Sequence, residues 1–260
     1  MESQFVRTEL LLGSEAIEKL QKSRVAVFGV GGVGGYVCEA LVRSGVGTFD
    51  LVDSDTVAFS NLNRQIIATR STVGKYKVDV MKERMLDINP DAVVNTYRCF
   101  FLPENADTFP FEEYDYIVDA VDTVSAKIAL VLKAQEAGVP IISSMGAGNK
   151  LDSTAFRVAD IYQTNVCPLA KVMRRELKKR GVKKLKVVYS EEKPITPIIT
   201  SSMEESMRED AEELKEARGG VAKPALKEGA RVKQAPGSSA FVPSVVGLII
   251  GGEVVKDLVK

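Results

Sequence analysis

RVAVFGVGGVGG, residues 24–35, is the stretch on which the fold turns. RVAVF reads as a short buried strand, ended by Gly29. The loop Gly29-x-Gly31-Gly32-x-Gly34 follows, and a helical pattern then runs to about Ser44. In such a strand–loop–helix unit each glycine has a task. Gly29 permits the tight turn, Gly31 and Gly32 let backbone amides approach a phosphate at the helix N-terminus, and Gly34 lets helix and strand approach closely. TFDLVD (48–53) is the next strand and ends in Asp53, about 20 residues past the loop, where an acid can hold ribose hydroxyls. The pattern points to a nucleotide without selecting NAD.

Outward from this unit the chain alternates. Residues 74–88 read as a helix stopped at Asn89-Pro90, because the residue before proline resists the α region. Strands follow near 92–98 and at 115–121, then a helix to about Gly138 and a strand at 139–144. This β-α-β succession predicts an α/β, Rossmann-like, mainly parallel sheet with helices on both faces. Strands at 153–160 and 185–190, around a basic helix at 168–180, extend the sheet with antiparallel strands in the C-terminal half. A first helix is expected at 14–21 with Ser14 as its cap. We expect one domain over 1–260: a nucleotide-binding half (1–150), a basic, substrate-facing segment (151–190), a long crossover loop with a partial helix and freedom to move (191–239), and a C-terminal helix (240–260). The apolar run 241–259 contains Glu253, Lys256 and Asp257, so it reads as a buried helix and not a membrane span.

Composition removes several functions. The 260 residues carry 35 Lys+Arg, 35 Asp+Glu and no His, which excludes His-based triads and zinc proteases. Three cysteines (Cys38, Cys99, Cys167) cannot build a four-cysteine zinc site, so no zinc is expected. The absence of a disulfide framework and of a signal-peptide core at MESQFVRTEL predicts a cytoplasmic protein.

A second constellation narrows the nucleotide. DSDTVAFSNLNRQ (53–65) and VGKYKVDV (73–80) bring Asn61, Arg64 and Lys77 just beyond the ribose acid. Alone, Arg64 and Lys77 would read as solvated charges. Beside a glycine loop they suit a triphosphate, whose charge they neutralise while pyrophosphate leaves. DAVD (119–122) ends a parallel strand, where ligands sit. There Asp122 can hold Mg2+ against the phosphates, and Asp119 is either a supporting acid or a helix cap.

The strings RVAVFGVGGVGG, LVDSDTVAFSNLNRQ, VGKYK, INP and VDAVDT, in this order, resemble the ubiquitin-activating-enzyme-like (ThiF/MoeB/HesA) adenylyltransferases. The resemblance implies activation of a carboxylate by ATP, giving an acyl adenylate. It implies Asp53 at the ribose, Arg64 and Lys77 at the phosphates with Asn61 beside them, and Asp122 at Mg2+. Arg7, in FVRTELLLG, is similar to an arginine that reaches the ATP of the partner subunit in a homodimer. Residues 143–177 (SSMGAGNK…CPLAKVMRREL) and 235–258 (APGSSAFVPSVVGLIIGGEVVKDL) further resemble the tRNA threonylcarbamoyladenosine dehydratase family. That likeness implies ATP-dependent conversion of N6-threonylcarbamoyladenosine in tRNA to its cyclic hydantoin. It leaves room for a monovalent cation and for a sulfur-relay protein as partner.

The residues agree with a tRNA substrate. Between Lys171 and Lys186 stand nine basic residues (Lys171, Arg174, Arg175, Lys178, Lys179, Arg180, Lys183, Lys184, Lys186) and one acid, Glu176. The first six are the candidate tRNA contacts; few aromatics interleave them, so they would hold phosphates without stacking bases. A solvated helix face is the plainer reading of such a run. Cys167 precedes a helix whose N-terminus could activate a thiol, yet ring closure needs no thiol, and Cys167 also reads as structural. Cys38 and Cys99 read as core. Two other functions stay open at this point: activation of the C-terminal Gly-Gly of a ubiquitin-like or sulfur-carrier protein, and an NAD-dependent oxidoreductase or nucleotide-binding module.

Overall fold

The computed structural model describes residues 3–198 and 236–260. Seven strands form one sheet in the order β3-β2-β1-β4-β5-β7-β6. They are β1 (Arg24–Phe28), β2 (Thr48–Val52), β3 (Val93–Tyr97), β4 (Tyr116–Asp119), β5 (Ile141–Ser144), β6 (Phe156–Asp160) and β7 (Lys186–Ser190). Six run parallel, and only the edge strand β6 is antiparallel, paired with β7. The C-terminal extension is therefore one parallel and one antiparallel strand.

The α-helices among the described residues are α1 (Val6–Leu12), α2 (Ser14–Lys22), α3 (Gly34–Ser44), α4 (Lys77–Ile88), α5 (Val124–Ala137), α6 (Pro168–Lys179) and α7 (Phe241–Leu258). Because strand side chains alternate, Val25 and Val27 face one layer and Ala26 and Phe28 the other. The first layer holds α2, α3, α4 and α7; the second holds α5 and an aromatic cluster of Phe28, Phe101, Phe109 and Phe111. A third cluster joins α5 to α6 and β7. The C-terminal helix is buried as expected: Val242, Val246, Ile250 and Val254 are fully inaccessible, each contributing about 1.5–3 kcal/mol relative to exposure. No helix among the described residues is long and apolar enough to cross a membrane.

Several elements differ from expectation: the strand expected at 153–160 begins at Phe156, after a short 3-10 turn, and that expected at 115–121 is Tyr116–Asp119. Helix α1, VRTELLL, was not anticipated; none of its residues is buried. Gly13, not Ser14, caps α2, without a side-chain hydrogen bond. Helix α4 begins at Lys77 and not at 74. The residues before it make a bridge between Thr56 and Tyr76, with the Val57 N–H donating to the Lys75 carbonyl at 2.9 Å. The partial helix and the mobility expected of the crossover loop fall largely outside the described residues.

Candidate nucleotide and substrate site

The strand order reverses direction between β1 and β4, and ligands of open parallel sheets bind outside the carboxyl ends of the strands at such a point. The glycine loop lies there. Gly29 has φ +90°, and a side chain on it would meet the Ala120 carbonyl at 2.7 Å. One on Gly34 would stand 1.8 Å from the Gly29 oxygen. Both glycines are thus fixed by the backbone. Gly31 has space around it, and Gly32 faces Pro243 and Arg64. The N-terminus of α3 stands at this loop, with the Gly35 N–H donating to the Gly31 carbonyl and the Tyr36 N–H to the Val33 carbonyl, both at 3.0 Å.

Asp53 holds the loop from β2: its Oδ2 accepts the Val30 N–H at 2.8 Å and its Oδ1 the Asp55 N–H at 2.8 Å. Burial raises its pKa, against the pull of Lys77. Lys77 opens α4 almost fully buried, and its Nζ donates to Asp55 Oδ2 at 2.9 Å. Arg64 differs. Its guanidinium is partly buried and donates to the Ser60 carbonyl and to Asn63 Oδ1, both at 2.9 Å, so both of these acceptors are neutral. Burial lowers its pKa. Asn61 is buried; its Oδ1 accepts the Ala58 N–H, and its carbonyl accepts the N–H groups of Arg64 and Gln65. It shapes the turn that presents Arg64.

At the end of β4 the two aspartates part. Asp119 is inaccessible and receives two hydrogen bonds at 3.0 Å from Lys127 Nζ, which also donates to the Ser144 carbonyl at 2.7 Å. It is neither a helix cap nor free for a ligand. Lys127, on α5, was not anticipated; its only sequence signal is a lysine among Ala126, Ile128 and Leu130 on a buried face. Asp122 is exposed and accepts from the Thr123 hydroxyl at 3.1 Å. No group of three potential metal ligands occurs among the described residues.

The returning chain completes the site. Asn63 Nδ2 donates to the Ser238 carbonyl at 3.0 Å, and Asn149 Oδ1 accepts the Gly237 N–H at 2.7 Å. Residues 237–238 are thereby tied both to the Arg64 turn and to the loop after β5. Three polar atoms in these segments are buried without a partner among the described residues: Ser54 Oγ, Gln65 Oε1 and Ser239 Oγ. Sequence reasoning passed over all three, although Ser54 and Gln65 lie inside the string LVDSDTVAFSNLNRQ.

The basic run divides. Arg174 donates to the Thr164 carbonyl and hydroxyl. Arg175, Lys179 and Arg180 converge on Glu176, whose carboxyl they hold down at about 2. Lys186 pairs with Glu253 and Asp257. Lys171, Lys178, Lys183 and Lys184 are exposed, with no acidic partner among the described residues. Cys167 is 2% exposed, packed with Met145, Ile161 and Met173, and a side chain on Gly146 would stand 3.9 Å from its Sγ. Cys38 is core; Cys99 is only half-buried. Arg7 lies exposed on α1, beside Leu10 and Leu11, which are 82% and 85% exposed.

A glycine loop at the switch point, an acid at the end of β2 and a half-buried cation facing neutral groups define an α/β protein of nucleotide-binding type, and the chain belongs to the ThiF family, which matches residues 5–260. Within that family it is 45% identical over 258 residues to tRNA threonylcarbamoyladenosine dehydratase of Bacillus subtilis (strain 168), covering 99% of this chain and 95% of the relative. The crystal structure of the Escherichia coli tRNA N6-threonylcarbamoyladenosine dehydratase in complex with ATP superposes with a TM-score of 0.81 at 30% identity, over 98% of this chain and 93% of that one. The complex of the same enzyme with AMP gives 0.80 at 30% identity, with the same coverage.

Proposed function

We propose that this chain is an ATP-dependent dehydratase that cyclises N6-threonylcarbamoyladenosine in tRNA. The observation that carries the reading is Arg64, a half-buried cation beside the glycine loop that no carboxylate among the described residues neutralises. Such a group is costly unless an anion completes it. The near full-length likeness to the dehydratases supports the choice of substrate.

In this reading the amides around Gly31 and Gly32 receive the phosphates, with Gly29 and Gly34 setting their position. Asp53 accepts from the ribose, and Arg64 and Lys77 stabilise charge on the phosphates. Lys77 must then share itself between Asp55 and the nucleotide. Asp122 suits Mg2+: the ion needs only one or two carboxylates when phosphates supply its other ligands, and an exposed carboxylate at the strand end meets that requirement. Mg2+ bound there would neutralise phosphate charge.

The threonyl carboxylate attacks the α-phosphorus and pyrophosphate leaves. The ureido nitrogen then attacks the acyl carbon and AMP leaves, so the net change in the nucleoside is loss of one water. Ring closure is intramolecular, and positioning supplies much of its rate.

For tRNA, Lys171, Lys178, Lys183 and Lys184 are the contacts we favour, because their charge is free. Lys171 and Lys178 stand on α6, roughly 18 Å long, and Lys183 and Lys184 on the connection that follows it. Arg174, Arg175, Lys179 and Arg180 are already engaged. Exposed Leu10 and Leu11 support burial of α1 in a homodimer, which would carry Arg7 to the other subunit's ATP. The substrate would place the enzyme in the cytoplasm.

The test is incubation with ATP, Mg2+ and tRNA bearing the modified nucleoside, followed by digestion and mass spectrometry. ATP-dependent loss of one water supports the reading. AMP formation only with a protein ending in Gly-Gly would overturn it in favour of carrier activation.

A further inference from the structure

Gln65 has a terminal amide whose oxygen has no hydrogen-bond partner among the described residues. The residue is 7% exposed, its Oε1 is buried and unpaired, and its Nε2 lies 3.9 Å from where a side chain on Gly31 would begin. Buried polar atoms almost always have partners, and those that lack one ask for an explanation. Its position gives one. Gln65 follows Arg64 directly, and its own N–H is tied to the Asn61 carbonyl at 3.0 Å, so the turn that presents Arg64 also fixes Gln65 under the glycine loop.

The chemistry of the missing partner can be read from the amide. Triphosphate and carboxylate offer acceptors only; they could engage Nε2–H and would leave Oε1 unsatisfied. Arg64, Lys77 and the loop amides already supply donors to phosphate. Oε1 requires an N–H or O–H. The amide torsion is soft and roughly two-fold, so turning Oε1 toward Gly31 costs little.

On the dehydratase reading, on which this inference rests, we infer that the Gln65 carbonyl accepts the N–H of the ureido nitrogen of N6-threonylcarbamoyladenosine and aims that nitrogen at the adenylated carboxyl carbon. In the step it serves, the C–N bond forms and the acyl C–O bond breaks. AMP leaves with the electron pair of that bond, and the nitrogen's proton passes to water. Gln65 orients the nucleophile and keeps no proton.

The test uses the full chain and Gln65→Leu, which preserves bulk and removes both polar atoms. Three quantities are compared: ATP affinity by calorimetry, ATP–pyrophosphate exchange with the modified tRNA, and single-turnover formation of the cyclic nucleoside. We expect ATP affinity within about twofold, exchange within about threefold, and ring closure about tenfold slower, the value of one neutral hydrogen bond. Tm should hold or rise, because the variant removes an unsatisfied buried atom. A structural glutamine would lower Tm and all three quantities together. Loss of ATP affinity equal to the loss of ring closure would assign Gln65 to the nucleotide, and ring closure at the full rate would remove its role; each overturns the inference. If Gln65→Leu does not fold, Gln65→Met carries the same expectations. If the unaltered chain binds ATP and forms no cyclic nucleoside, the dehydratase reading itself fails, and this inference with it.

Discussion

The two ends of the sheet treat their polar groups in opposite ways. Away from the glycine loop two acids are saturated. Asp50, fully buried on β2, receives Arg24 through Nε at 2.7 Å and Nη2 at 3.0 Å, and the Tyr97 hydroxyl at 2.9 Å. Asp257, on α7, receives Tyr116 at 2.8 Å, Lys186 at 2.6 Å and Lys260 at 2.9 Å. At the carboxyl ends Arg64 faces neutral acceptors, and Ser54, Gln65 and Ser239 each keep an unpaired atom. Unsatisfied groups cost about 1–3 kcal/mol each. The split is not absolute, since Asp119 at the carboxyl end is locked to Lys127 and the Tyr114 hydroxyl near the amino end of β4 is unpaired; but the open cation and three of the unpaired atoms gather around the glycine loop, where a ligand can complete them.

The largest effect should come where the deficient end meets the backbone. Gly34→Val places carbon on the Gly29 carbonyl. We expect a loss above about 5 kcal/mol, read as absence of a cooperative thermal transition. A normal transition would show that the loop can shift as a unit. Next is Asp50→Ala, which leaves the partly exposed Arg24 with Glu113 alone and removes the Tyr97 acceptor, and should cost about 2–3 kcal/mol. Chemical denaturation measures it, and ATP affinity of the folded fraction should be unchanged. Affinity lost without stability would erase the distinction between the two ends.

Arg64→Ala and Asp122→Ala should do the reverse. Each is expected to reduce ATP–pyrophosphate exchange at least about 100-fold, near 2.7 kcal/mol in transition-state terms, with Tm almost unchanged. Undiminished exchange in Asp122→Ala would remove that residue from the mechanism. Smaller still are the lysines. Lys171→Ala and Lys178→Ala should each weaken tRNA binding less than about tenfold and lower the salt slope by about 1. Arg175→Ala, whose partner is Glu176, should leave the slope alone.

Much of this division was legible in the sequence, and the limit of legibility is physical. The glycine loop, Asp53 and the β-α alternation follow from local rules: a strand's apolar run, a glycine's backbone freedom, an acid at a strand end. Arg64, Lys77 and Asp122 needed the resemblance, because a charged residue alone reads as solvated surface. What could not be read was pairing. Asp119 and Asp122 are three residues apart in one motif, yet one is locked to Lys127 and the other is open, a difference set by a lysine on the next helix. In the basic run the six candidate contacts look alike in sequence, but a single acid, Glu176, engages three of them. The unpaired Gln65 is the same problem inverted, since a missing partner leaves no trace in the order of residues.

The smallest expected effect contrasts the two ends by pH. Burial alone would raise the Asp257 pKa, but Lys186 first, then Lys260 and Tyr116, bring it to about 2, below the unfolded value near 4. A depressed carboxylate stabilises the fold above its unfolded pKa and loses that contribution as pH falls through the folded one. The acid limb between about pH 4 and 2 should therefore be shallower in Asp257→Asn, by at most about 2 kcal/mol before solvent screening. Asp53 is shifted the other way, its ionised form disfavoured by burial. As pH falls through its raised pKa the folded state takes up the proton first and gains stability relative to neutral pH, while an acid needed at the ribose is neutralised. ATP affinity should decline at a pH where Asp257 is still fully ionised, and Asp53→Asn should remove that decline along with most of the affinity. Coincident loss of affinity and stability in one acid transition would mean that the two ends are not independent.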